Sequence, residues 1–355
     1  MADRLRRKRP AASANNPARS DQGSDPKQKT YRIRRKIPDP VWSLSEIARP
    51  HFSKVPRHAN FNDEQLALAP VESVSPKQAQ PFLKWVGGKA QLLARFDGFF
   101  PSEIKRYFEP FVGGGAVFFH LKHRFPKMKA LLRDINGELI NTYRAVRDCP
   151  RELMQQLDAH AAKFKTNGDD YFYLVRSQHD LPGNEKKIVE RAARMIFLNK
   201  TCFNGLWRVN ARGEFNVPVG SNKKPGLYDQ ENILAASLAL QGVHLEIQDF
   251  RRTFSETRRG DFIYVDPPYY PVSATANFTS YTKEDFGEGE QCELHAVFTD
   301  AAQRGVCVML SNSDAPFIRR LYRDFQIHTV QARRMVNCDG SKRGAVNEVV
   351  VTNKN

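Results

Sequence analysis

The run Phe262-Ile263-Tyr264-Val265, followed at once by Asp266-Pro267-Pro268-Tyr269, constrains this chain more than any other stretch. An unbroken apolar run bounded by turn residues reads as a buried strand. The two prolines make the next four residues a rigid turn, delivered to a crevice at the strand's end. Pro267 has no amide hydrogen, so the turn presents carbonyl oxygens and a carboxylate with no competing donor beside them. Such acceptors suit a ligand's NH2 group, and Tyr269 supplies a face on which a planar ring can stack. An adenine or a cytosine base has both features. Asp-Pro-Pro-aromatic is also an ordinary turn, so the rest of the chain has to decide between the two readings.

The 355 residues are enough for one large core or two smaller ones. The formal charge of +16 favours a polyanionic partner. Residues 1–80 hold 16 Lys/Arg against 8 Asp/Glu, so half of the excess lies in less than a quarter of the chain. The five cysteines (149, 202, 292, 307 and 338) form no Cys-x-x-Cys pair. Free thiols in a reducing compartment are therefore expected, and no metal site. No apolar run approaches the roughly 18 residues of a membrane span. With no apolar signal core at the N-terminus, a soluble, cytoplasmic protein is expected.

Residues 1–30 carry Arg4, Arg6, Arg7, Lys8 and Arg9 but no aromatic, and predict a disordered basic arm. A second basic cluster, Arg32 to Lys36, comes next, and residues 41–70 could form a short helix or two. A polar linker, Ser73 to Gln80, closes a basic N-terminal extension over 1–80. The chain then alternates. Strands are predicted at Tyr107–Phe111, Ala130–Arg133, Val243–Ile247, Phe262–Val265, Val306–Ser311 and Glu348–Thr352, with a helix over Ala116–His123. Residues 137–235 are helical and polar, with periodic Ile188, Val189, Ala192, Met195 and Ile196 and a loop-rich tail. This pattern predicts an α/β open sheet formed by 81–136 and 236–355, with 137–235 inserted between its halves.

Three further segments are placed to form a site. Phe108 to Ala116 reads as a strand that leads through Gly113, Gly114 and Gly115 into a helix, opening a crevice a ligand can approach closely. It is not Gly-x-Gly-x-x-Gly, so the dinucleotide fingerprint fails. Asp134, about twenty residues on, is placed either to accept from a ribose or to cap the helix that begins near Gly137. Gln248-Asp249-Phe250 ends the next strand and offers an acceptor and an aromatic wall. Ahead of the first strand, Trp85 and Lys89 flank Gly87-Gly88 and could close over a ligand and pair with a carboxylate.

In order, the chain carries Phe-Leu-Lys-Trp-x-Gly-Gly-Lys, Phe-Glu-Pro-Phe-x-Gly-Gly-Gly, Asp-Ile-Asn-x-Glu-Leu-Ile and Asp-Pro-Pro-Tyr. It also carries Phe203 to Asn210, Arg212 to Pro218, and Thr275 to Tyr281. From about Phe82 to Val351 this arrangement resembles the Dam-type DNA adenine-N6 methyltransferases of class D12. The resemblance implies a Rossmann-like methyltransferase sheet, S-adenosyl-L-methionine as cofactor, duplex DNA as partner, and a bacterial or phage origin. It implies that Trp85, Lys89, Asp134 and Asp266 contact the cofactor beside Phe111, Gly113 and Gly115. Asp249 and Phe250 would hold the cofactor's adenine, and Asp266 to Tyr269 would form the catalytic turn. Lys84 of the first motif, with Leu206, Arg208 and Pro218 in the helical target-recognition insertion, matches positions that read bases; Phe203 matches a wedge into the duplex, and Asn204 stands beside it. The family usually has tyrosine where Phe203 stands and a small residue where Trp207 stands. The target implied is GATC, and a monomer or weak dimer on DNA is expected. Cytosine-N4 enzymes usually carry Ser where Asp266 stands, and a silent DNA-binding relative would not be expected to keep the catalytic turn intact. A restriction partner with a longer target remains a second reading.

Overall fold

The computed structural model describes residues 77–178, 187–222, 224–272, 286–333 and 345–353. The basic arm and the Thr275 to Tyr281 motif lie outside these residues. Seven strands form one sheet: β1 (Arg106–Glu109), β2 (Lys129–Asp134), β3 (His244–Ile247), β4 (Phe262–Val265), β5 (Cys307–Ser313), β6 (Gln326–Arg333) and β7 (Ala345–Thr352). Their order is β3-β2-β1-β4-β5-β7-β6. The first five are parallel, and β7 runs antiparallel to both β5 and β6. From β1 the chain builds outward to β2 and β3, then returns to place β4 on the other side of β1. The strand order therefore reverses between β1 and β4, where open α/β sheets hold their ligands.

All four residues of β4 are buried, as its apolar run predicts for a strand covered on both faces. Alternate side chains enter opposite cores. Tyr107, Tyr264, Met309 and Val350 join one, while Phe108, Ile263, Val265, Val308, Leu310, Val349 and Val351 join the other. The first core is shared with α1 (Leu93–Phe96), α2 (Ala116–Arg124) and α3 (Gly137–Asp148), and the second with α7 (Phe250–Ser255) and α8 (Glu288–Gln303). α3 lies against β2 and β3 and also packs on α5 (Ile188–Thr201) and α6 (Gln230–Leu240). α4 (Pro150–Ser177) packs on α5 and bends at Gly168. Ahead of the sheet, Lys77 pairs with Asp229 and Glu231, and the Gln80 backbone exchanges two hydrogen bonds with Asn232 on α6.

Two strand expectations shift. β1 stops at Glu109, not Phe111, because Pro110 cannot donate to a ladder; Phe111 falls into the loop beyond. β6 was not expected. It is an edge strand of mixed polarity, QIHTVQAR, with little periodic signal. Among the described residues no helix is long and apolar enough to cross a membrane, and no three His, Cys, Asp or Glu side chains are grouped to hold a metal.

Candidate active site

At the carboxyl ends of β1 and β4 lies a cavity of about 610 Å³. Its lining comes from Pro81, Leu83–Gln91, the glycine loop after β1, the end of β2, Gln248–Arg251, the Asp266–Tyr269 turn and Trp207. Segments widely separated in sequence thus share one chamber. The sequence-predicted Trp85, Lys89, Phe111, Gly113, Gly115, Asp134, Asp249, Phe250 and Asp266 to Tyr269 all line it, and so does Lys84.

One end is built from backbone. Gly113 and Gly115 have φ of +47° and +70°, a region that favours glycine. A Cβ on Gly113 would stand 2.7 Å from the Trp85 ring, and one on Gly115 would stand 2.5 Å from the Tyr143 hydroxyl. That hydroxyl donates to the Gly113 carbonyl at 3.0 Å. The Asp134 carboxylate accepts from Gly113 N at 3.2 Å and Asn136 N at 3.0 Å. Burial pushes its carboxyl up to about 6 against the pull of these backbone donors. The helix cap is Asn136, which accepts from Leu139 N at 3.1 Å, so Asp134 does not serve as the N-cap. Asp249 does cap: it accepts from Arg251 N at 2.8 Å and pairs with the Arg251 guanidinium at 2.7 Å. Arg251 lies over the buried Phe250 ring, whose neighbour on the chamber side is Phe111, with ring centroids 5.5 Å apart. Phe286 meets both rings edge-on.

The other end is the Asp266 turn. Oδ2 of Asp266 pairs with the buried Lys89 ammonium at 2.8 Å. Oδ1 is buried and has no hydrogen-bond partner among the described residues. Burial pushes this carboxyl up to about 6; Lys89 opposes the shift and Glu348 adds to it. The Lys89 ammonium also lies 4.8 Å from the Tyr269 ring centroid, and the Tyr269 hydroxyl donates to Glu348 at 2.7 Å. Between the two ends sits Glu109, 2 % exposed, which accepts from the Tyr107 hydroxyl at 2.8 Å. Burial holds its carboxyl well above the usual range.

The recognition candidates gather around Asn199, a wholly buried residue of α5. Its side chain accepts from Lys84 N at 2.8 Å and donates to the carbonyls of Lys84 at 2.8 Å and Gly205 at 2.9 Å. Lys84 and the Phe203–Gly205 turn are thereby fastened together. Asn204 takes a left-handed φ of 55°, and Phe203 is 42 % exposed. Phe203 N donates to the Pro218 carbonyl at 2.9 Å. Trp207 is buried against Phe215, so the bulky residue fills the base of the loop. Leu206 is half-buried, while Arg208 and Pro218 are exposed. Arg208 Nε donates to Asn216 Oδ1 at 2.8 Å. Burial and the neighbouring Lys84 charge lower the Lys200 ammonium to about 8.

Asn199, Glu109, Phe286, Gln291, Asn312 and Glu348 were not singled out in the sequence. Glu109 lay inside the quoted Phe-Glu-Pro-Phe and could have been found as a charge at a buried strand end; the others carry no local signal.

A sheet with its ligand chamber at the switch point, lined by a glycine loop and an Asp-Pro-Pro-Tyr turn, defines a Rossmann-like methyltransferase. The sequence pattern of the D12 class N6 adenine-specific DNA methyltransferases matches residues 85–336, and the chain belongs to that family. A type II methyltransferase of Lactococcus lactis subsp. cremoris is 42% identical over 278 residues, covering 77% of this chain and 95% of that protein. A type II methyltransferase of Methanocaldococcus jannaschii is 39% identical, covering 78% and 99%. The DNA adenine methylase of Escherichia coli K12 is 32% identical, covering 78% and 96%. The cofactor of this family is S-adenosylmethionine. The chamber suits it: side chains on Gly113 or Gly115 would collide with the walls, so the loop backbone borders the cavity directly. Asp134 adds a buried carboxylate at the same end.

Proposed function

We propose that this protein methylates the N6 amino group of adenine within GATC in double-stranded DNA, after flipping the base out of the helix. The observation that carries the reading is the orphaned, buried Oδ1 of Asp266 beside Pro267 and Tyr269. A buried acceptor left without a donor is costly unless a ligand supplies one, and an exocyclic amino group has two hydrogens to give. A stacked base cannot reach a chamber at a sheet's end, so the nucleotide has to leave the duplex, at a few kcal/mol. Phe203 fills the gap, and Tyr269, held at its hydroxyl by Glu348, stacks on the extruded ring.

Trp85, Lys89, Asp134 and the glycine loop hold the cofactor, with Phe111, Asp249 and Phe250 around its adenine. The cofactor supplies a methyl group carried on a sulfonium sulfur. Asp266 and the Pro267 carbonyl accept the amino hydrogens, which draws the nitrogen lone pair out of conjugation and aims it at the methyl carbon. Transfer would leave the bonding pair on a neutral sulfur, and the surplus proton of the methylated amino nitrogen would pass by way of the Asp266 carboxylate to solvent. Positioning and electrostatics account for the rate, with no covalent enzyme intermediate. Lys84 of the first motif and Leu206, Arg208 and Pro218 of the recognition segment read the bases, and Asn204 shapes the loop.

Purified protein given tritiated S-adenosylmethionine and plasmids with or without GATC tests this. Label is expected only on the plasmid that carries the site, in adenine. Label on both plasmids would overturn the GATC assignment, and label in cytosine would overturn the chemistry. The type II relatives favour a second reading, in which the chain protects DNA as a restriction partner. Labelling of only a subset of GATC sites would support a longer target.

A further inference from the structure

The catalytic turn is held by side chains that take no part in the reaction proposed for it. Gln291 of α8 and Asn312 of β5 are both wholly buried. Gln291 Nε2 donates to the Pro268 carbonyl at 3.0 Å. Asn312 Nδ2 donates to Gln291 Oε1 at 3.1 Å. Asn312 Oδ1 accepts from Tyr270 N at 3.1 Å and from Ser313 N at 2.8 Å. The Ser313 hydroxyl donates to the Tyr270 carbonyl at 2.6 Å. The Pro268 and Tyr270 carbonyls are thus taken. Among the described residues no donor is placed on the Pro267 carbonyl, and Asp266 Oδ1 is open as well.

Each proline fixes its own φ, and Pro268 also confines ψ of Pro267 to extended values, but ψ of Pro268 is not fixed by the ring. The Pro268 carbonyl could therefore turn toward the site and compete as an acceptor, unless a donor holds it. Burying two primary amides is unfavourable unless every polar atom is matched, and here they are matched to one another and to this turn.

We propose that Gln291 and Asn312 are positioning residues for methyl transfer. They form a buried amide relay that occupies the neighbouring carbonyl and so keeps the Pro267 carbonyl and the free Asp266 oxygen as the paired acceptors for the target amino group. The proposal rests on the reading of Asp266 and Pro267 as those acceptors. It predicts a defect in chemistry with the cofactor site intact, because the relay touches the turn and not the glycine loop.

The test compares wild type, Gln291→Ala, Gln291→Glu and, as a reference, Asp266→Ala in single-turnover methylation of a GATC duplex, with calorimetry for the cofactor. For Gln291→Ala the rate is expected to fall on the order of 10- to 100-fold, as small misplacements of reacting groups do. Its cofactor dissociation constant should stay near wild type, while its melting temperature should fall by a few degrees, because Asn312 Nδ2 and the Pro268 carbonyl lose their partner. Gln291→Glu keeps the shape and gives a readout that mere packing would not. An ionised carboxylate repels the Pro268 carbonyl, while a protonated one can donate to it, and a buried carboxyl is protonated at higher pH than usual. The rate of Gln291→Glu relative to wild type should therefore rise as pH falls from 8 to 6. A Gln291→Ala enzyme with the wild-type rate, or a Gln291→Glu ratio flat across that range, overturns the relay while leaving the proposed function standing. If Gln291→Ala does not fold, the Gln291→Glu ratio decides alone. A wild-type enzyme that methylates no duplex, or an Asp266→Ala enzyme as active as wild type, removes the underlying reading and the relay with it.

Discussion

The Asp266 turn and the Arg208 loop face the same chamber and are built in opposite ways. The turn succeeds a wholly buried strand, and Lys89, Gln291 and Asn312, all buried, hold its acid and its backbone. The loop proposed for recognition is tied to the interior by Asn199 and Cys202 and rests on a Trp207–Phe215 base. The side chains proposed to read bases are exposed apart from the half-buried Leu206, and Arg208 is held by a surface bond to Asn216. A reaction that depends on sub-ångström alignment is placed where packing fixes every atom. Base reading, as proposed, falls where side chains can change without cost to the core. Damage to the turn should therefore abolish chemistry on every site, and damage to the loop should redistribute activity among sites.

The largest effect is expected at Asp266. Asp266→Ala removes one acceptor of the amino group and leaves Lys89 without its counter-charge. Turnover should fall at least on the order of 10²–10³-fold, the cost of deleting one preorganised polar contact in a transition state. DNA binding by gel shift should be nearly unchanged, since most contacts proposed for the duplex lie outside the turn, in the loop, at Lys84 and in the basic extension. Retained turnover would break the contrast at its centre.

The turn was legible in sequence because its logic is local. Four apolar residues demand burial, and the carboxylate and prolines after them have one place to go. Its supports were not. Gln291 and Asn312 lie 23 and 42 residues beyond the bonds they make, and a polar residue in a helix or strand gives no sign that it will be buried. Asn199 is hidden in the same way, in a helix otherwise read from its apolar period. The β6 strand was missed because an edge strand need not alternate. Asp134 was left between ribose acceptor and cap, and only the backbone donors around Asn136 separate the two.

A second test compares sites instead of rates. Arginine suits a bidentate contact with guanine, worth roughly 1–3 kcal/mol of discrimination. Arg208 spends Nε on Asn216 and keeps its terminal nitrogens for such a pair. Arg208→Ala should relax preference at one guanine by roughly 5- to 150-fold, measured by sequencing methylated random-site libraries. A uniform loss on all sites would make Arg208 a phosphate contact and weaken the GATC assignment.

Acidity probes the buried end alone. Asp266 accepts strongly only when ionised, and its carboxyl is pushed up to about 6. kcat/KM should be flat above that pH and fall about tenfold per unit below it. Asp134 is also pushed up to about 6, so the limb needs an assignment. Lys89 lowers the Asp266 value and is not among the causes acting on Asp134. Lys89→Met should therefore move the limb to higher pH if Asp266 governs it. A limb that stays in place would assign it to Asp134.

The smallest effect on which site is methylated is expected from the basic extension. Half of the chain's net charge lies in residues 1–80, and cations there can meet phosphates, which carry no sequence information directly. The deletion has to respect the structure: Lys77 and Gln80 are fastened to α6 through Asp229, Glu231 and Asn232, so a chain beginning at Val71 keeps those ties. For every phosphate the extension neutralises, its removal should reduce the slope of log affinity against log salt by about 0.9. The shortened protein should show a shallower slope and the same methylated sequence. An unchanged slope would remove the tethering role. A changed target would show that base reading extends beyond the loop, and the division between rigid chemistry and adjustable reading would have to be drawn elsewhere.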